Sequence, residues 1–164
     1  MISSWIQGNN ENKITYKFRK VYYEFQLLTR GSRDGFIGNV FHKMCDNKGP
    51  TVTILRLKNE ASILGGYNPL NWDVNKSKSY EKTLDSFIFS LDREIILSRV
   101  QNYDKAIYHH SQHGSNFYDL RLINTFNATD GVYFCNDRYN RKIHKEGYFI
   151  ADEYEVFSVV RKRK

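Results

Sequence analysis

Residues 29–36 read TRGSRDGF, and the periodicity of the chain changes across them. Before them, Tyr22 to Leu28 is dense in aromatic and aliphatic side chains and is predicted as a strand. After them, Phe36, Val40, Phe41, Met44 and Cys45 recur at helical spacing, which predicts a helix over 36–45. DNKGP at 46–50 ends it. Gly31 and Gly35 bracket Ser32, Arg33 and Asp34, so the stretch reads as a bend joining strand to helix. Two roles are open. In one the bend is structural, with Asp34 capping the helix or pairing with an arginine. In the other it is a catalytic loop, with Arg33 and Asp34 joined by Glu153 or Glu155 in an enzyme of unknown reaction.

Downstream, strand signals dominate. Thr51 to Leu57 is β-branched, and Ser62 to Tyr67 is its antiparallel partner across KNEA. Gly65 and Gly66 within that second run imply either a bulge or a close backbone approach. SFIFSL at 86–91 alternates, with Phe87, Phe89 and Leu91 on one face. Ile95 to Val100 returns as its hairpin partner. Shorter candidates follow at 106–109, 119–123, 132–134 and 153–160. Many short strands and one clear helix predict an α+β, mainly β domain of two packed antiparallel sheets with short peripheral helices.

The 164 residues suffice for one domain with a sizeable core. Residues 1–13 read as a leading helix and linker, 14–160 as the domain, and 161–164 as a disordered basic tail. The net charge of +7 admits nucleic acid or an anionic membrane as partner. However, Arg161 to Lys164 supply four of the positive charges, and the rest are scattered as on solvated faces. Nucleic-acid binding through a basic surface therefore stands as a second alternative, behind the enzyme. No apolar run approaches a membrane span. MISSWIQGNNENK lacks the features of a signal peptide, which points to the cytoplasm and to free thiols at Cys45 and Cys135.

Catalytic and cofactor signatures are sparse. HHSQH places His109, His110 and His113 close together, but three histidines do not make a zinc geometry without a partner carboxylate or a helix to order them. A polar loop is the simpler reading. Cys45 falls on the apolar stripe of the helix, which explains it by burial. No nucleophile elbow, phosphate loop or dinucleotide fingerprint occurs, so no cofactor and no small-molecule substrate are implied.

Taken in order, LLTRGSRDGF (27–36), FHKMCDNKGPTVTILR (41–56), GGYNPLNW (65–72), DSFIFSL (85–91), HGSNFYDLRL (113–122) and EYEVFSV (153–159) resemble the TLDc domain family. The similarity is greatest to its fungal and protist versions that follow BTB and BACK domains, where ISSWI at 2–6 resembles the lead-in segment. The resemblance implies a β-sandwich and a non-enzymatic module for protein interaction. It implies a role in oxidative-stress protection, in regulation of the vacuolar proton-pumping ATPase through its subunits, or in both. It carries no catalytic residue or cofactor. Gly31, Arg33, Asp34, Gly65, Gly66, Glu153 and Glu155 become candidates for partner binding or for structure. Two departures stand out. The family's GPxFG loop is here Gly114-Ser115-Asn116-Phe117-Tyr118, and Ile37 replaces the frequent Ser or Thr, which shifts the expected cap to Asp34.

Overall fold

A computed structural model of the chain describes residues 1–8, 21–127, 131–135 and 137–162. The runs of β-branched and aromatic residues form strands β1 (Tyr22–Arg30), β2 (Thr51–Leu57), β3 (Ile63–Asn68), β4 (Ser79–Glu81), β5 (Phe87–Leu91) and β6 (Ile95–Arg99). They continue as β7 (Ile107–His109), β8 (His113–Asn116), β9 (Leu120–Ile123), β10 (Gly131–Tyr133), β11 (Gly147–Phe149) and β12 (Ala151–Lys162). The described residues also form three short α-helices, α1 (Ile2–Ile6) ahead of β1, and α2 (Gly31–Asp34) and α3 (Gly38–Cys45) between β1 and β2. The fold is mainly β, as the strand signals predicted.

All strand pairs among the described residues are antiparallel. A six-stranded sheet has the order β1-β12-β2-β3-β5-β6, a four-stranded sheet the order β11-β10-β9-β8, and β4 pairs with β7 alone. The last long strand, β12, thus lies between the first two long ones. The main core fills the space between the two larger sheets. Leu55, Leu64, Ile88, Tyr154 and Val156 come from the first, and Leu120, Leu122, Tyr133 and Phe149 from the second. Phe41 and Cys45 of α3 join them, with Trp72 and Phe117 from the connections.

The six-stranded sheet is covered on its other face too. Trp5 of α1 is buried with Val52, Tyr67, Phe87, Phe89, Leu97 and Val159. Its ring meets Phe87 edge-on at 6.0 Å and Phe89 at 5.5 Å. Arg99 fastens the helix by donating from Nη2 to the Trp5 carbonyl at 2.8 Å while its guanidinium lies over the Phe87 ring. This second layer explains why Phe87, Ile88, Phe89 and Ser90 are all buried although the segment alternates.

Gly65 and Gly66 resolve to close approach, since β3 keeps an unbroken register with both neighbours. A Cβ at Gly65 would collide with the Phe89 ring and the Thr53 carbonyl oxygen, and one at Gly66 would sit 2.5 Å from the Phe117 ring. Two further expectations change. Helix 36–45 is shorter and preceded by a separate turn of helix. The expected disorder after Val160 does not begin there: β12 continues through Arg161 and Lys162, which pair with Tyr23 and Tyr22, and Lys162 is held by Glu24. Arg163, Lys164 and the linker at 9–13 lie outside the described residues.

Because Trp5 fills the second core layer, Trp5→Ala is expected to destabilise the chain by about 3 kcal/mol. Chemical denaturation followed by the fluorescence of the remaining Trp72 measures this. A loss below about 1 kcal/mol would mean that α1 rests on the sheet without supporting it.

Candidate functional site

The bend at 29–36 is built by β1 running straight into α2. Gly31 is required by packing: a Cβ there would overlap the Phe36 ring and come within 2.8 Å of Tyr154 Cδ1. Gly35 closes the turn at φ 112°, a conformation that disfavours other residues and separates α2 from α3. Phe36 then turns inward against Tyr154, ring centres 5.6 Å apart, and its carbonyl accepts from the Phe126 N–H at 2.8 Å. A continuous helix from Phe36 would forfeit both contacts, which is why the predicted helix starts late.

Asp34 is not the cap of α3. Its carboxylate faces back into the bend, where it accepts from Thr29 Oγ1 and the Arg30 N–H, both at 3.0 Å. Arg33 grips it through Nε and Nη2, both at 2.8 Å. The cap position of α3 is Ile37, extended at φ −124°, and its side chain makes no capping bond. The Arg33 guanidinium, joined next by the Arg30 amide, holds the Asp34 carboxyl well below the usual carboxylate range.

Strand β12 binds the bend from beside it. Glu155 stands directly opposite Arg30 in the β1–β12 register and accepts from its Nε at 2.6 Å. Glu153 Oε1 accepts from the Ser32 N–H at 3.0 Å, satisfying a first-turn amide of α2 that has no partner within the helix. Between them Tyr154 points inward and donates its hydroxyl to the Gly35 carbonyl at 3.1 Å. The structure therefore brings five of the candidates together: Gly31, Arg33, Asp34, Glu153 and Glu155. Gly65 and Gly66 sit apart, in the middle of β3.

The histidines separate as well. His109 is buried, bonded through Nε2 to Glu81 at 2.9 Å. His110 and His113 stack with ring centres 3.9 Å apart. Burial, the neighbouring His110 and Arg121 push His113 down to about 4. Among the described residues no group of His, Cys, Asp and Glu is placed to hold a metal ion. Cys45 is fully buried, and burial pushes its thiol well up, so it is no ready thiolate. No helix among the described residues is long and apolar enough to cross a membrane.

Sequence reading missed a second cluster. Tyr118, in the loop where the resemblance expects glycine, takes φ 65°. The guanidinium groups of Arg121 and Arg138 lie over its ring, and Tyr80 stands 5.7 Å away. Their spacing in sequence carries no local signal, because the pairing of β4 with β7 and the turn from β8 to β9 bring them together.

An antiparallel two-layered β-domain whose strand-to-helix bend is strapped to its last strand defines a class. The model of the TLDc domain matches residues 9–160, and the chain belongs to that family. No curated protein matches it.

Two substitutions test the bend. Ile37→Thr supplies the missing cap of α3 and is expected to stabilise by about 1 kcal/mol, read as a rise in Tm of roughly 2–4 °C. Asp34→Asn should cost about 1 kcal/mol at pH 7. Because the folded-state pKa is lowered, that stabilisation is present above the ordinary value of 3.8 and is lost as pH falls through the folded value. The melting curves of parent and variant should converge in acid, and a constant gap across pH would refute the charge-based account.

Proposed function

We propose that the chain is a non-enzymatic protein-interaction module, acting in oxidative-stress protection and in regulation of the vacuolar proton-pumping ATPase. Its compartment is the cytoplasm and its partner is a subunit of that pump. The observation that carries this reading is the TLDc match over 9–160. The local chemistry supports it. A carboxylate held far below neutral and filled by four donors is a poor general base at pH 7. Glu153 and Glu155 are committed to the bend. The clefts lined by Ile37 and Gln112, by Lys58 and Tyr148, and by Met1 and Phe25 include none of these groups.

What the bend offers outward is a pair of arginines, each matched by a carboxylate. The side chains of Arg30 and Arg33 are 45% and 51% exposed, each steadied by a carboxylate, which suits a fixed contact for another protein better than turnover of a substrate. The direct experiment mixes the purified chain with isolated vacuolar vesicles carrying the pump. Co-sedimentation and an altered rate of ATP-driven acidification are expected, together with slower growth under peroxide when the gene is deleted. No association, with unchanged growth under peroxide, would remove the reading.

A further inference from the structure

The turn between β8 and β9 sets one tyrosine beneath two arginines. Tyr118 occupies the left-handed region at φ 65°, which is unfavourable for a residue with a side chain. Its N–H donates to Asn116 Oδ1 at 3.0 Å and holds the turn. The guanidinium carbon of Arg121 lies 5.5 Å from the ring centre and that of Arg138 4.9 Å, so two like charges stand no farther apart than these distances added. Arg138 is anchored by its neighbour. Tyr139 is buried, donates its N–H to Asp119 Oδ2 at 3.3 Å, and gives its hydroxyl to the Ala106 carbonyl at 3.0 Å. Beside the tyrosine, exposed Tyr80 pairs across the strands with Tyr108 and carries Lys105 Nζ 5.1 Å above its ring.

Three carboxylates on these elements serve other groups: Glu81 holds Lys76 and His109, Asp104 holds Lys82, and buried Asp119 accepts from the Tyr139 N–H. Arg30, Arg33 and Arg56 are each paired with an acid, whereas Arg121 and Arg138 have no ion pair with a described residue. The Nε of each is buried without an acceptor, although both side chains reach the surface. Two guanidiniums over one ring, each with a desolvated Nε that has no acceptor, are unfavourable alone and suited to a partner that brings carboxylate oxygens to their remaining N–H groups.

We propose that Tyr118, Arg121 and Arg138, bordered by Tyr80, form a docking site for an acidic segment of a protein partner, its Asp and Glu carboxylates bridging the two guanidinium forks. This deepens the interaction-module reading and rests on it. A carboxylate-rich peptide fits better than single-stranded nucleic acid. Cations already lie over the rings of Tyr118 and Tyr80 where bases would need to stack, and a guanidinium fork matches a carboxylate in two bonds.

The test uses the full chain and a short fluorescein-labelled peptide of Glu, Asp and Leu, read by anisotropy, with a single-stranded oligothymidylate of equal charge as comparison. Saturable binding of the peptide is expected, weakened about tenfold or more by Arg121→Gln with Arg138→Gln. Tyr118→Gly should weaken it too while folding at least as well, because glycine suits the left-handed turn. Amide shifts in the parent chain should concentrate at 116–121 and 138–140, which decides the matter even where a variant fails to fold. Absence of saturable binding, unchanged affinity in folded variants, shifts elsewhere, or tighter binding of the oligothymidylate would each overturn the site. If folded variants associate with pump-bearing vesicles as the parent does, the docking site is wrong and the module reading stands. If the parent itself does not associate, that reading fails regardless of the peptide.

Discussion

Tyr154 is the side chain on which the layers and the bend converge. Fully buried, it packs against Phe36 and Phe126, lies against Gly31, and donates its hydroxyl to the Gly35 carbonyl. Its neighbours on β12 face the other way, as a strand requires, and there Glu153 and Glu155 meet the Ser32 amide and the Arg30 side chain. Three consecutive residues thus fix the bend from both sides. The period of two along β12 is what lets one strand serve the core and the surface together.

That constraint explains the residues that first suggested catalysis. Arg33 touches Asp34, and Asp34 closes the loop by holding Thr29 and Arg30. The arrangement resembles an active-site pair in composition only. Its carboxylate is saturated with donors, and its charge stabilises a turn rather than waiting for a proton. The arginines of the bend have their geometry set by the fold.

Strand runs with β-branched or aromatic residues were legible in the sequence, because burial on a pleated surface selects those residue types directly. So were the stop at 46–50 and the burial of Cys45. The start of α3 was not. Whether Phe36 opens a helix or turns into the core depends on Tyr154 and Phe126, which are far away in the sequence. The double burial of β5 was hidden for the same reason: Trp5 covers a face that alternation alone assigns to solvent. Tyr80, Tyr118, Arg121 and Arg138 were invisible as a group, since each is ordinary in its own segment and only the pairing of strands makes them neighbours.

The six-stranded sheet is covered on one face by a second sheet and, around Phe87 and Phe89, on the other by α1. The proposed docking site lies instead at a corner, where separate segments meet. The Tyr118 corner draws on the β4–β7 pair, the turn before β9 and the loop at 138. Such a corner exists only while every segment is in place, so the docking proposed there would double as a check of structural integrity. A chain that has lost one of its layers through damage would lose the proposed docking site at the same moment.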